Sequence, residues 1–581
     1  MPSSDAQTGQ KVHFSRWMEP RWKKDVACRL NRSGFPRTAF GAILLFCVLL
    51  TSIPSIKRCT ATEPDGNANR SIAASRPNIV VIVCDDMGFS DIGCYGGEIE
   101  TPNLDRLAAG GIRFIDFHNN AKCSETRASL LTGLWHQQSR NLKQPGNVTI
   151  AEVLKSADYR TLMSGKWHLA STPPERGFDR YFGFLSGAIN FFTGTDWQTG
   201  ENLMRLDDKE FQAPKDFYST DAFTDRAIEF LKSGENQKDS NGKQPFFLYL
   251  AHNAPHFPLQ APEEEIRKYR GRYHAGWDTI RKQRFGRMKQ LGLIDDTWKL
   301  SPRDPKVESW SSLTAQQKQF MEPMMEVYAA MVDRLDQNIG RLVQYLESTD
   351  QFDNTLILFF SDNGACPYER LRTPGVPPGG AESDIAYDAR WANMCNAPLR
   401  LYKQYAHEGG SLSPMIAHWP NGIELRGSIS GFTSHLVDLM PTFVELSGAT
   451  YPEEYAGQKI LPMEGISLVP ALSGNQNRES SPIFWEFSGN HAIRDGNWKL
   501  VAERSRDWEL YDLSTDRCEN KDLASKHPEI VKQLAETYEN WAKRTGAKSH
   551  KASRKQKPST QSQLFDFKKI LDPDTGNVEK Q

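Results

Sequence analysis

The sequence has no CxxC pair, no regular cysteine spacing and almost no net charge. Its 581 residues carry 9 cysteines, and 71 basic against 72 acidic side chains leave a formal charge of -1. The cysteine pattern excludes a disulfide-dense scaffold and a zinc site; one disulfide stays open, with no pair singled out. The charge balance excludes a global polyanion-binding surface, and no reader motif supplies a local one, so nucleic acid is not an expected partner. Long apolar runs are also missing. "AFGAILLFCVLLTSI" (39–53) is short for a spanning helix. A basic lead precedes it (Lys11, Arg16, Arg21, Lys23, Lys24, Arg29, Arg32, Arg37), and small residues near 59–61 suit a signal peptidase. Residues 1–61 therefore read as a basic lead and cleaved export signal, with a retained anchor as the alternative and Met18 as an alternative start. The expected destination is periplasmic, secreted or lumenal.

After a polar linker (62–76) the chain alternates β-branched apolar runs with helical patterns. The runs are "NIVVIVCDD", "YRTLMS", "PFFLYLAH", "NTLILFFSDNG" and "SPMIAHWP". Between them, "TIAEVLKSA" opens on Thr149 with Glu152 at the capping-box position. "VYAAMVDRLDQNIGRLVQYLES" repeats Met331, Leu335, Ile339, Leu342 and Leu346 at spacings of three and four. This predicts an α/β domain with a mostly parallel central sheet flanked by helices over residues 77–479. From about 480 short strands broken by Gly, Asn and Asp, then "PEIVKQLAETYENWAKRT", predict a smaller antiparallel-sheet domain with a packed helix over 480–547. The Lys-, Ser- and Gln-rich tail 548–581 reads as disordered.

Polar residues recur at the ends of the expected strands. The first run ends in Asp85-Asp86, the second runs into Lys166 and His168, the third into His252 and His256, and the fourth into Asp362-Asn363. One such ending is ordinarily a turn, and a lone surface histidine ordinarily does nothing. Repeated on separate strands, they converge at the carboxyl edge, where open α/β sheets bind ligands. Three Asp and one Asn make an oxygen-rich set suited to calcium or magnesium rather than zinc. Arg127, Lys166, His168 and His256 would ring that cation with donors, which implies an anionic oxyacid substrate, a sulfate or a phosphate.

The stretch "NNAKCSETRASLLTG" (119–133) fits the same picture. A cysteine before a helix is more often a packing residue. Here the helix start favours negative charge beside Cys123, and Arg127 projects to the same face one turn later.

Together these residues resemble the sulfatase family of the alkaline-phosphatase superfamily. The matching segments are "CSETRASLLTG", "CDDMG", "GKWHLA", "APHFPL", "SDNG" and "KQYAHEGG", in the family's order, with "AIRDGNWKLV…WELYDL" like its C-terminal meander. The resemblance covers roughly 77–545 and implies hydrolysis of aryl or carbohydrate sulfate monoesters. It implies that a formylglycine-generating enzyme oxidises Cys123 to an aldehyde. It also implies one calcium ion held by Asp85, Asp86, Asp362, Asn363 and the modified Cys123. Arg127, Lys166 and Lys403 match sulfate-binding positions, His256 the position that protonates the leaving alcohol, and His168 the position that takes a proton from residue 123. His252 matches no fixed role and reads as structural. Position 125 is Glu where the family signature has Pro or Ala, and His407 stands where Tyr is common.

Two other readings stay beside this one. A phosphonate or phosphate monoester hydrolase could share the scaffold. Without modification of Cys123 the chain would be a silent sulfoglycan-binding protein, for which the basic stretch 267–289 with Tyr269, Tyr273, Trp277 and Phe285 could serve; such a stretch is more often a helical cover on the core. The long segment 365–396 is expected to shape the pocket, with Arg390, Trp391 and Asn393 as candidate substrate contacts. Oligomeric state is not legible.

Overall fold

The run "NIVVIVC" forms β1 (Asn78–Cys84), buried beyond its first residue. Alternate side chains enter opposite cores: Val80, Ile82 and Cys84 one, Ile79, Val81 and Val83 the other. Burial on both faces is why such a strand reads as a continuous apolar run. The chain is described here by a computed structural model covering residues 76–571, apart from 235–237, 240–241, 477, 479–480, 505 and 551–563. The expected lead and signal, all but one residue of the expected linker and most of the expected tail lie outside the described residues.

The other strands of the main sheet are β2 (Ile112–His118), β3 (Arg160–Lys166), β4 (Arg180–Phe184), β5 (Phe246–Ala251), β6 (Thr355–Ser361), β7 (Leu412–His418) and β8 (Ser428–Ser430). Across the sheet the order is β8-β2-β7-β6-β1-β5-β3-β4, continued by short edge strands at Met204–Leu206 and Lys209–Glu210. The block β6-β1-β5-β3-β4 is parallel throughout. β7 runs antiparallel to both β6 and β2. The expected mostly parallel sheet is thus present, with the "SPMIAHWP" strand reversed.

Helices cover the sheet. They include α1 (Cys123–Thr132), α2 (Ile150–Lys155), α3 (Ser219–Lys232), α4 (Gly276–Gln290), α5 (Ala315–Ser348) and α6 (Ala389–Cys395). The capping box at α2 closes as the sequence suggests: Thr149 Oγ1 accepts from Glu152 N at 3.1 Å, and Glu152 Oε2 accepts from Thr149 N at 2.7 Å. Thr149→Ala is expected to cost about 1–2 kcal/mol, read as a shift in urea midpoint at constant slope. α5 extends further toward its N-terminus than the Val327 start suggested by periodicity. It begins at Ala315 behind a Thr314 cap and carries Pro323 inside. Proline removes one helical hydrogen bond, and burial of Met321, Met324 and Met325 around it offsets that loss.

The smaller sheet is β9 (Ile483–Phe487), β10 (Asn490–Asp495), β11 (Trp498–Ala502) and β12 (Glu509–Asp512), an antiparallel meander with α7 (Pro528–Thr545) packed on it. It joins the main sheet through buried charge. Asp116 on β2 accepts both Arg494 guanidinium nitrogens at 2.7 and 2.8 Å and Arg517 Nη2 at 2.8 Å. Lys499 pairs with Glu408 at 2.6 Å and Glu519 at 3.0 Å. Asp116, His118 and Glu408 bring ligand atoms close enough for a metal, but Arg494, Arg517 and Lys499 already supply the countercharge.

Two expectations change, and of the two readings of 267–289 the helical cover is the one present. In 365–396, Arg370–Leu371 pairs with Ile385–Ala386 and α6 follows. Arg390, Trp391 and Asn393 are buried in its packing rather than offered to a substrate. Trp391 sits among Tyr273, Trp277 and Trp310, and Arg390 pairs with Asp388 and Glu308. The stretch 267–289 turns Tyr269, Tyr273 and Trp277 inward, and buried Arg284 binds Asp91 and Glu98; it covers the core. Finally, the tail is not wholly without structure. α8 (Phe567–Leu571) is seated, Phe565 packs on Phe320 with ring centroids 5.4 Å apart, and Phe565 N donates to Asp388 at 2.9 Å. Two phenylalanines in a polar tail give it something to bury. Among the described residues no helix is long and apolar enough to cross a membrane.

Candidate active site

Register assembles the site. Cys84 faces Ser361 across β1 and β6, so Asp85-Asp86 and Asp362-Asn363 emerge side by side. Gly165 faces Ala251 across β3 and β5, so Lys166 emerges beside the segment that carries His252 and His256. Gly165 has φ of 113°, and a Cβ there would fall 1.9 Å from the Ala251 carbonyl oxygen. Only glycine lets the two strands close at this point.

The carboxylates are fully buried and matched to cations. Lys166 Nζ lies 2.5 Å from Asp85 Oδ2, Lys403 Nζ binds Asp86 Oδ1, and Arg127 Nη2 lies 2.8 Å from Asp362 Oδ2. Asn363 Nδ2 donates to Asp86 Oδ1 at 2.7 Å. Burial opposes ionisation of Asp85, but Lys166, then His256, Arg127 and Lys403, hold it well below the usual carboxylate range. Asp362 goes the other way: burial, then the charge of Asp85, push it well above. Each carboxylate has one cation, but oxygens of Asp85 and Asp86 still lack a partner.

The chemistry of the unpaired atoms says what would supply it. Asp85 Oδ1, Asp86 Oδ2 and Asn363 Oδ1 are buried without a hydrogen-bond partner. Such oxygens are costly to leave unmatched, and together they suit a hard cation. His256 Nδ1 lies 2.6 Å from the Phe257 carbonyl oxygen, which turns Nε2 toward Asp86 Oδ2 at 3.4 Å. Asp85, Asp86 and His256 alone could share a metal, but the orphaned oxygens favour the all-oxygen set with the imidazole at its edge.

Cys123 is the first residue of α1, behind the Lys122 cap position. Burial alone would push its thiol up; Lys166, Lys122 and Lys403 bring it below its ordinary value. Arg127, one turn on, is fully buried and also donates to the Lys166 carbonyl oxygen at 2.9 Å. Glu125 is half-buried on the opposite side of α1, accepts from Ser124 Oγ at 2.6 Å, and lines a separate cavity of about 260 Å³ with His136 and Arg140. In the folded chain it faces away from Cys123. His168 lies beside the same cations. Burial, then Lys166, Arg127 and Lys122, keep its imidazole well below the ordinary histidine value.

The structure thus brings together Asp85, Asp86, Cys123, Arg127, Lys166, His168, His256, Asp362, Asn363 and Lys403. His252 stands behind them, fully buried beside Phe223, its pKa lowered to about 3 by burial. His407 turns away to Glu509 Oε2 at 3.2 Å. Sequence reasoning missed Lys122, whose position just ahead of Cys123 was the available signal, and Tyr249, whose hydroxyl lies 3.4 Å from Arg127 Nη1. Tyr249 sits inside an apolar strand and gave no signal. Asp86, Ala121, His168 and Gln404 all have positive φ (70°, 57°, 56° and 80°), and strain of this kind persists where surrounding packing enforces it.

Comparison with known proteins identifies the family. The sulfatase family model matches residues 77–449, and the model of the N-sulphoglucosamine sulphohydrolase C-terminal region matches 400–544. An uncharacterised sulfatase of Schizosaccharomyces pombe is 35% identical over 535 residues, 82% of this chain and 95% of its own length. The arylsulfatase of Klebsiella aerogenes is 35% identical over 432 residues, 68% of this chain and 91% of its own. Among solved structures, Ps i-CgsB in complex with k-i-k-neocarrahexaose is 27% identical with a TM-score of 0.59, covering 82% of this chain and 95% of that one. With a family model spanning most of the chain and relatives matched along nearly their full length, the protein belongs to the sulfatase family and is a sulfuric ester hydrolase.

Proposed function

We propose that the protein hydrolyses aryl or carbohydrate sulfate monoesters through a formylglycine made from Cys123, beside one calcium ion held by Asp85, Asp86, Asp362, Asn363 and residue 123. The observation that carries this reading is the juxtaposition of orphaned Asp85 Oδ1, Asp86 Oδ2 and Asn363 Oδ1 with a helix-starting cysteine ringed by lysines. Calcium would supply charge that polarises the sulfate and eases loss of a proton from the attacking hydroxyl. A hydrated aldehyde at position 123 would offer two hydroxyls on one carbon, one to attack sulfur and one whose deprotonation expels sulfate.

The chain's own groups do the rest. Arg127, Lys166 and Lys403 bind the sulfate oxygens and compensate charge as it shifts toward the leaving oxygen. His256, fixed through Nδ1 by the Phe257 carbonyl, presents Nε2 to the departing alcohol. Burial lowers its pKa to about 3, so it donates from the imidazolium formed when the anionic substrate joins Asp86 and Asp85 in favouring the charged ring. His168, neutral among cations, takes the proton from the second hydroxyl of residue 123. Lys122 adds positive potential at residue 123. Maturation requires a formylglycine-generating enzyme, and the Ala39–Ile53 run would direct export.

The decisive measurement is the intact mass of the peptide containing Cys123. An aldehyde oxygen in place of the thiol is expected; an unmodified thiol in chain produced beside a competent modifying enzyme would leave a silent sulfoglycan-binding protein. The leaving group tests His256. Loss of a general acid costs roughly 10²–10⁴-fold, and the cost falls as the alcohol becomes more acidic. His256→Ala is therefore expected to slow a sugar sulfate far more than nitrophenyl sulfate. Equal losses on both would remove His256 from that role.

A further inference from the structure

The lip of the site is built from segments that follow three parallel strands. Trp197 comes after β4, Phe257 after β5, and Tyr368, Arg370 and Arg372 after β6. Phe257 packs on His256 with ring centroids 4.1 Å apart, meets Trp197 edge to face at 5.6 Å, and lies 6.2 Å from Tyr368. Tyr368 has Lys122 Nζ 5.6 Å and Lys403 Nζ 5.5 Å from its ring centre. These contacts run unbroken from the reacting groups to the surface.

Two guanidinium groups lie on Trp197, Arg370 at 4.3 Å and Arg372 at 5.0 Å from the ring centre. They differ in what neutralises them. Arg370 is buried and paired with Asp384. Arg372 is exposed; its side chain donates to the Trp197 carbonyl oxygen at 3.2 Å and meets no carboxylate among the described residues. The indole and the carbonyl hold it in place, so it is a cation fixed before any ligand arrives. Arg127, Lys166 and Lys403 each have an aspartate; Arg372 has none, and it is exposed at the outer end of these contacts.

We propose that Arg372, held on Trp197, binds a second anionic group carried by the leaving alcohol. The preferred substrate class is then a saccharide sulfate bearing a further sulfate or carboxylate, rather than a simple aryl sulfate. This rests on the sulfate-ester reading above. Half-buried Tyr368 flanks the intervening sugar, with buried Phe257 behind it, and Arg372 fixes the sugar's far end. Arg372 touches substrate without touching the reacting atoms, so its contribution falls on binding and selectivity.

The test compares the mature, calcium-loaded protein with Arg372→Gln on nitrophenyl sulfate, a monosulfated disaccharide and the matching disulfated disaccharide. Binding of the disulfated compound is followed in parallel by calorimetry. Arg372→Gln is expected to lower kcat/KM on the disulfated substrate roughly tenfold or more, mainly through KM. The difference should shrink with added salt. Nitrophenyl sulfate should change less than about twofold. Trp197→Leu should reproduce the selective loss in weaker form, because it frees the guanidinium without removing it, and Arg372→Lys should restore part of it. Equal losses on all three substrates, or none on the disulfated one, would overturn the assignment. A protein that hydrolyses no sulfate ester yet binds the disulfated compound through Arg372 would keep the lip and refute the esterase chemistry. Hydrolysis with binding unchanged by Arg372→Gln would do the reverse.

Discussion

Cys123→Ser is expected to lose turnover of sulfate monoesters by on the order of 10³-fold or more while keeping its fold. The residue is almost fully buried at the start of α1, and serine is close in size, so packing changes little. Arg127, Lys166 and Lys403 remain to bind sulfate. On the formylglycine reading, what is lost is the carbon that can carry two hydroxyls: serine offers one oxygen for attack and none for elimination. Thermal unfolding should be nearly unchanged, and calcium should still bind with the serine oxygen in place of residue 123's ligand atom, with kcat collapsed. A serine variant that turns over repeatedly at the wild-type rate would remove formylglycine from the mechanism.

Asp362→Ala is expected to abolish calcium binding and activity together and to destabilise the calcium-loaded protein by about 3–5 kcal/mol. Asp362 and Arg127 are both fully buried and 2.8 Å apart, so removing the carboxylate leaves a buried guanidinium short of its partner. Without calcium the cost should be smaller, because burial and Asp85 already push Asp362 toward its neutral form. Asp362→Asn keeps shape and should recover part of the stability but little of the metal affinity. Calorimetry and thermal unfolding with and without calcium separate these effects. Unaltered calcium affinity in Asp362→Ala would sink the metal assignment.

Much of this was legible because the sheet is buried on both faces. Continuous β-branched runs followed at once by Asp-Asp, Lys-x-His or Asp-Asn gave the strands, their carboxyl ends and the polar residues they deliver. The reversal of β7 was not legible, since a buried strand looks alike in either direction. The N-terminal turns of α5 were hidden by Pro323, whose cost is met only by tertiary packing. Trp391 and Arg390 looked like pocket residues because they follow a long Gly- and Pro-rich stretch; only the structure reveals the aromatic and ionic partners that bury them. Likewise Asp86, His168 and Gln404 carry no local sign of left-handed backbone. Their conformation is imposed by neighbours distant in sequence.

The charged junction between the two sheets has a consequence for modularity. β2 leads directly into the arm that carries Cys123, and Glu408 closely follows Lys403. Both are held by Arg494, Lys499 and Arg517 from the smaller sheet and its following turn. Trp485 adds a hydrogen bond from its indole to the Asn119 carbonyl oxygen at 2.7 Å. The smaller sheet is therefore one jaw of a clamp on the arm that carries Cys123, not an accessory that can be trimmed. A chain cut near residue 480 would strip Asp116 and Glu408 of Arg494, Lys499 and Arg517 and uncover Trp135, Ala406 and Val437, which pack with the smaller sheet, and no stable minimal core should be obtainable that way. Exchanging this sheet with that of a relative would succeed only where acids and bases on both sides travel together.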